Sequence, residues 1–362
     1  MKSKTINILS IFVLFLSCGV LYYLIPKVVI FWENKDVIVR GMVSEQPGSS
    51  FVSEAKELYP AKTNSHLTEQ DLSIITSPFL VFNPDAPIRK EGYGQTYSRS
   101  AAGVAIDAKT GTILYEQSAT ERMPIASLTK VMTAIIVLER ISDLDNTIIT
   151  IDREATLAEP SKIGCATSVN CDSNLLQVGE KISARNLFDA MLIGSTNDAA
   201  IALGKHVAGS QGEFARLMNQ KAQELGLKNT KFCNPSGLDP DDLSEQCYST
   251  AYDFARISAY SLKYKEIWRA FRMSEKDFYS VDGKISHNVK NTNKLLEEMP
   301  NCDGAKTGFT FEAGRTLMMT AHHPNNKNIK VVAVILNNNY RWDDISEIFR
   351  WCFEAYQWPN NS

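Results

Sequence analysis

The stretch PIASLTKVMTAIIVLERI, residues 124–141, constrains the fold of this chain more than any other. Apolar residues cover nearly every face of the helix it would form, and a helix that is apolar all round has to be enclosed by other elements. The rest of the chain must therefore supply layers around it. Two strand-like runs, AAGVAID and TILYEQ, stand just before it, separated by the turn residues of AKTG. Three more, GAKTGFT, RTLMMTAHH and NIKVVAVILNN, come near the far end, followed by the amphipathic DDISEIFRWCFEAYQW. Apolar helical segments fill the middle. This order predicts an α+β fold: an antiparallel sheet whose halves meet across the chain, flanked by helices, with a helical subdomain.

A second apolar run, Ile6 to Ile25, is uncharged for 20 residues behind Lys2 and Lys4, which is about the length a helix needs to cross a bilayer core of roughly 30 Å. Tyr22, Tyr23 and Leu24 occupy the place where a small-residue cleavage site would be sought. The expectation is an uncleaved N-terminal transmembrane helix with the lysines inside and the rest of the chain outside. Phe15 and Leu16 upstream of Cys18 match lipoprotein processing poorly, so Cys18 reads as a membrane-buried cysteine. From Phe31 to Ser98 the chain is polar and irregular, with EQPGSS, PAKTNSH and NPDAP as turns. The expected division is an anchor or signal-like segment over 1–30, a juxtamembrane spacer over 31–98 and a catalytic domain over 99–358. Within the spacer, ITSPFLVFNP is the part suited to pack on the body. Residues 95–362 are expected to fold and work without the rest.

A composition of 44% hydrophobic and 22% charged residues excludes a chain disordered throughout. A net charge of -3, with no basic stripe interleaved with aromatics, gives no reason to expect nucleic acid. The five histidines show no H-E-x-x-H, and no C-x-x-C pair exists, so neither a catalytic metal nor zinc is expected. Outside the cytoplasm the cysteines at 165, 171, 233, 247, 302 and 352 could form disulfides. Cys165–Cys171 and Cys233–Cys247 are the first pairings to test; the alternative is that most are free and buried.

Three short patterns carry chemistry, and each occurs more than once. S-x-x-K stands at Ser53–Lys56 and Ser127–Lys130, S-x-N at Ser168, Ser195 and Ser286, and AKTG at Ala108–Gly111 and Ala305–Gly308. Ser53 lies in the spacer, where nothing would bury it. Lys109 belongs to a turn and should point to water. Ser168 sits in the cysteine-flanked loop, and Ser286 follows the VDGK turn; both read as solvated loop residues. Ser127 and Lys130, by contrast, share one face of the first turn of the buried helix. Ser195–Asn197 forms a turn between two apolar helices; Asp198 can cap the second, which leaves Ser195 and Asn197 without a structural task. The copy at 305–308 lies on a strand.

The surviving order, Ser127-Leu-Thr-Lys130, Ser195-Thr-Asn197 and Lys306-Thr-Gly308, resembles that of the serine D-alanyl-D-alanine carboxypeptidases, the low-molecular-mass penicillin-binding proteins. The resemblance spans about residues 101–355 and includes AGSQGEFARLMNQKAQELGLKNTKFCNPSGLD, YSTAYDFARIS and NTNKLL. It implies Ser127 as nucleophile, a neutral Lys130 as base, and Ser195 as proton relay. Asn197 would orient Lys130 and bond the substrate backbone, Lys306 and Thr307 would hold the terminal carboxylate, and Gly308 would leave room along the strand. Lys306 would also keep Lys130 neutral. The amides of Ser127 and Phe309 would hold the oxyanion, and Arg341 is the candidate for a second carboxylate contact. The implied partners are peptidoglycan stem peptides ending in D-Ala-D-Ala, β-lactam antibiotics and, through the anchor, the bacterial cytoplasmic membrane; no cofactor is implied. A D-alanyl endopeptidase and a catalytically inactive wall-binding protein are the alternatives. Class A β-lactamase action is disfavoured because no E-x-x-L-N follows the middle motif. The chain departs from the family in Thr196, where glycine is commoner, and in having 54 residues (362 − 308) after Gly308, where many members carry a further β-rich domain.

Overall fold

Strict alternation of side chains organises the structure. In the computed structural model, which describes residues 83–159, 161–167, 170–171, 174–240 and 246–359, five strands form one antiparallel sheet. They are β1 (Ala102–Asp107), β2 (Ile113–Gln117), β3 (Cys302–Thr310), β4 (Gly314–His323) and β5 (Asn326–Leu336). Their order is β3-β4-β5-β1-β2, so the two early strands join the three late ones along the β5–β1 seam, where Val334 pairs with Val104. Val104, Ile106, Met318, Val332 and Val334 face one core, while Ala105, Leu317, Met319, Val331 and Ala333 face another. Both faces are therefore covered, as the near-continuous apolar runs require.

On the first face lie α1 (Lys130–Arg140), α2 (Ala184–Ile193), α3 (Asn197–Ala208), α4 (Gln211–Glu224), α5 (Ala251–Ser261) and α6 (Lys265–Arg272). Helix α1 is enclosed as its sequence demands, with Lys130 through Val137 all buried. The second face is covered by α7 (Arg341–Ala355). Ser183, Ser210 and Thr250 cap α2, α4 and α5 by accepting from the backbone three residues on, and Gly209 closes α3 at φ 83°.

Several expectations change. The body begins before residue 99: Ile88–Arg89 pairs antiparallel with Tyr356–Gln357, Lys90 N donates to Ala355 O, and the Trp351 indole donates to Gly94 O. A pair of two-residue strands held by backbone bonds leaves no periodicity to read. Ser286 is not in a loop but opens the strand Ser286–Lys290, paired with Glu275–Tyr279. Asp198 is not the N-cap residue of α3; Thr196 holds that position, while Asp198 lies in the first turn and accepts from Ala199 N at 2.8 Å. Residues 1–82, with the proposed anchor and the Ser53 motif, and Ser168 lie outside the described residues. Among the described residues, no helix is long and apolar enough to cross a membrane. Cys233 and Cys247 form a disulfide with Cα atoms 5.7 Å apart. Cys165 is also disulfide-bonded, while Cys302 and Cys352 are free and buried.

Candidate active site

Ser127 does not belong to α1 itself. It sits in a single 3-10 turn, Ala126–Thr129, that leads into the helix, and Ala126 enters it at φ 50°, a conformation few L-residues adopt. Strain of this kind persists only where the surroundings impose it. Here two glycines and a threonine do so. A Cβ on Gly237 would stand 2.0 Å from Ala126 O, and one on Gly308 would stand 3.1 Å from Ala126 Cβ. The Thr316 hydroxyl on β4 donates to Ile125 O at 3.2 Å. The turn is thus clamped between the NPSGLD segment and strand β3, with Ser127 half-buried at the open side.

Lys130, the first residue of α1, is wholly buried. Its Nζ lies 2.8 Å from Ser127 Oγ, 2.7 Å from Asn197 Oδ1 and 2.6 Å from the carbonyl of Ser236. The last two partners can only accept. A neutral lysine has two N–H groups and one lone pair, so donation to Asn197 and Ser236 leaves the lone pair for the Ser127 hydroxyl. Burial pushes the ammonium down to about 7, and the Asp198 carboxylate pulls the other way.

Asn197 and Ser195 are fixed from the opposite side. Asn197 N donates to Ser161 O at 2.7 Å, and its side-chain amide donates to Glu159 O at 3.4 Å. Ser195 holds φ 59°, a second strained non-glycine residue within the site. Lys306, also wholly buried, donates to Ser195 Oγ at 2.6 Å and to Thr307 O at 2.7 Å. Burial first, then repulsion from Lys130 and Arg341, holds Lys306 well below the ordinary lysine range. Lys130 and Lys306 thus lie in one buried site, and for each of them burial is the largest cause of the lowering.

The structure brings together Ser127, Lys130, Ser195, Asn197 and Lys306, with Thr307 and Gly308 next in the strand. Thr307 Oγ1 lies 2.7 Å from Thr292 Oγ1. Phe309 follows on β3, half exposed. Arg341 opens α7, and its Nη1 donates to Gly308 O at 2.9 Å and Thr316 O at 3.0 Å, so it braces β3 directly behind the glycine. Burial, then Arg315, lowers it to about 10. Two contributors carried no signal of their own. The Ser236 carbonyl belongs to a turn that Asn234 organises by accepting from the amides of Ser236 and Gly237 at 3.1 and 2.7 Å. Asp198, buried and pushed up to about 6 by burial, accepts from Ile163 N at 2.9 Å, fastening Ile163 against α3.

Comparison with known proteins agrees with this geometry. Residues 90–339 match the model of the S11 peptidase family, described as D-alanyl-D-alanine carboxypeptidase. The carboxypeptidase DacF of Bacillus subtilis is 32% identical over 280 residues, covering 77% of this chain and 69% of the relative. A D-alanyl-D-alanine endopeptidase of Pseudomonas aeruginosa is 32% identical over 221 residues, covering 61% of this chain and 66% of the relative. The chain thus spans about two thirds of these relatives. Among solved structures, a D-alanyl-D-alanine carboxypeptidase from Mycobacterium tuberculosis superposes with a TM-score of 0.64 at 26% identity, covering 74% of this chain and 96% of that one.

Proposed function

The chain belongs to the D-alanyl-D-alanine carboxypeptidase family of S11 peptidases, and from that premise we propose that its site removes the terminal D-alanine from peptidoglycan stem peptides through an acyl-enzyme on Ser127. The observation that carries this reading is the coordination of Lys130: two obligate acceptors consume its N–H groups and direct its lone pair at Ser127 Oγ, 2.8 Å away.

In this reading the terminal carboxylate meets Lys306, whose third N–H remains open when it is protonated, and the Thr307 hydroxyl. Carboxylate binding restores the charge that burial of Lys306 disfavours. Ser127 Oγ attacks the carbonyl carbon of the penultimate D-alanine as its proton passes to Lys130 Nζ. The oxyanion sits between the amides of Ser127 and Phe309, each such donor contributing roughly 2.7–4 kcal/mol. Ser195 returns the proton to the departing nitrogen, the C–N bond breaks and D-alanine leaves. Water, deprotonated by Lys130, then cleaves the ester. Arg341 holds Gly308 in place so that the strand edge stays open. A β-lactam acylates Ser127 in the same way but its ester hydrolyses slowly, because the bound drug keeps water from an activated approach and the chain has no E-x-x-L-N glutamate to supply another base.

Replacing Ser127 by alanine should abolish covalent labelling by fluorescent penicillin, and the wild type should release D-alanine from a pentapeptide. Persistent labelling of the alanine variant would overturn the assignment. The endopeptidase reading keeps its place because the same residues serve it and a relative of equal identity bears that name; product analysis on a cross-linked dimer separates the two. Membrane attachment rests on the run Ile6–Ile25 behind Lys2 and Lys4. It predicts that the full chain resists alkaline extraction from membranes and that a chain lacking residues 1–30 does not.

A further inference from the structure

Strand β3 continues past Gly308 through Phe309 and Thr310 into a hairpin turn that carries Phe311 and Glu312, and β4 returns with Arg315 directly opposite Phe309. Phe311 is 94% exposed and Phe309 is 51% exposed. Their rings meet edge to face with centroids 5.9 Å apart, and the Arg315 guanidinium lies 5.5 Å from the Phe309 centroid. Water around two exposed rings is unfavourable for the isolated fold, so the pair asks for a ligand. Two carboxylates stand near this tip, Glu312 in the turn itself and Asp239, which accepts from Thr310 Oγ1 at 3.1 Å, but neither forms an ion pair with Arg315. Among the described residues, Lys306, Arg315 and Arg341 make no ion pair with any carboxylate, although Arg315 and Arg341 are close enough to repel one another.

The fold says what reaches this tip. Strand β3 is one of the two outer strands of the sheet, and such an edge accepts an extended peptide. A peptide whose carboxylate is held at Lys306 and Thr307, and whose scissile carbonyl lies at Ser127, runs its upstream residues along β3 past Phe309. With the scissile carbonyl of the second residue at the Phe309 amide, the two steps from Phe309 to Phe311, about 7 Å at about 3.3 Å per residue, bring the third and fourth residues from the peptide's C-terminus alongside the tip.

We propose that Phe309, Phe311 and Arg315 form a second subsite that binds the stem peptide upstream of its D-Ala-D-Ala end, with aliphatic side chain against the rings and a free carboxylate at Arg315. The subsite rests on the D-alanyl peptide reading given above and sets which stem peptides are used rather than how the bond is cut.

The test compares kcat/KM of the full chain for three substrates: acetyl-D-alanyl-D-alanine, a pentapeptide with a free carboxylate on the third or fourth residue from its C-terminus, and the same pentapeptide amidated there. The wild type should prefer the charged pentapeptide over the amidated one by up to about fivefold, the scale of one solvent-accessible ion pair. Arg315→Glu should erase or invert that preference. Phe311→Ala should lower the ratio of pentapeptide to dipeptide by a few-fold, for both pentapeptides alike. Equal use of the charged and amidated peptides by the wild type overturns the Arg315 assignment without any variant, and an unchanged ratio in Phe311→Ala overturns the aromatic one. If none of the three is hydrolysed and no penicillin adduct forms on Ser127, the D-alanyl peptide reading itself fails, and the subsite with it.

Discussion

The four residues AKTG occur twice, and the two copies share nothing but their sequence. The first forms the turn between β1 and β2: Asp107 accepts from the amides of Thr110 and Gly111, Gly111 adopts φ 73°, and Lys109 is 72% exposed beside Asp85 at 2.8 Å. The second lies on an outer strand of the sheet with Ala305 in one core, Lys306 wholly buried against Ser195, and Gly308 pressed toward the turn that carries Ser127. A triplet is therefore not a site. What sets the second copy apart is that its lysine has been taken out of water and given only hydroxyl and carbonyl partners, which in the proposed reading leaves the counter-charge to a ligand's carboxylate.

The largest expected difference between the copies is in acylation. Lys306→Ala removes the carboxylate contact and the donor to Ser195 together, and should slow acylation by penicillin and by D-alanyl peptide on the order of a hundredfold or more. Normal acylation of that variant, measured by stopped-flow labelling, would mean that the wrong copy had been chosen.

Next comes pH. Because burial lowers Lys130 to about 7, its neutral, proton-accepting form is lost as pH falls below that value. The second-order rate of penicillin acylation should fall about tenfold per pH unit on the acid side and level off above it. The stability sign follows from the same shift. The folded chain binds fewer protons at Lys130 than the unfolded chain between about 7 and the unperturbed lysine pKa of about 10.4. Unfolding free energy should therefore rise with pH in that window, by up to about 1.4 kcal/mol per unit, and Lys130→Met should flatten this contribution. An acylation profile flat from pH 5 to 8 would remove Lys130 as the base.

The glycines of the two copies sharpen the contrast on a smaller scale. A Cβ on Gly308 would stand 2.3 Å from Thr316 Oγ1, so Gly308→Ala must displace the residue that holds Ile125, at a cost of about 1–3 kcal/mol and with slower acylation. A Cβ on Gly111 meets nothing within 4 Å, and only φ 73° opposes it. Gly111→Ala should cost about 1 kcal/mol and leave acylation alone. Thermal unfolding and labelling together distinguish the two; equal loss of labelling in both variants would deny the difference in environment.

The elements that follow periodicity were legible from the residues. All five sheet strands, the enclosed helix α1 and the closing helix α7 stand where alternation or apolar runs put them, because burial on both faces leaves a pattern in side chains. What could not be read is the part of the site built by backbone. Ser236 contributes a carbonyl to Lys130, Ser161 and Glu159 hold Asn197 by carbonyls, and any residue carries one. The strained φ values at Ala126 and Ser195 are equally silent, since neither is glycine. Asp198 misled in a different way. A carboxylate near a helix start reads as a cap, but here it divides its oxygens between Ala199 N in α3 and the amide of Ile163. The early start of the body leaves no pattern in the sequence because Ile88–Arg89 pairs through backbone bonds with a strand more than 260 residues away.

The smallest expected effect is the most exacting test of the comparison. Lys109 forms an ion pair with Asp85, and a distance of 2.8 Å tempts one to give it structural weight. Its side chain is nevertheless 72% exposed and that of Asp85 is 36% exposed. A pair so open to water gains little from Coulomb attraction, because solvent screens it and two side chains must be ordered to make it. The turn itself does not depend on the lysine, since Asp107 closes it by accepting from Gly111 N at its carbonyl and from Thr110 N at its carboxylate. Lys109→Ala should therefore shift stability by no more than about 0.5 kcal/mol, within the usual range for surface substitutions, and acylation should match the wild type. Chemical denaturation and penicillin labelling of the same preparation measure both. A variant that folds normally yet acylates poorly would show that the exposed copy reaches the chemistry after all, and that burial of Lys306 is not what separates the two.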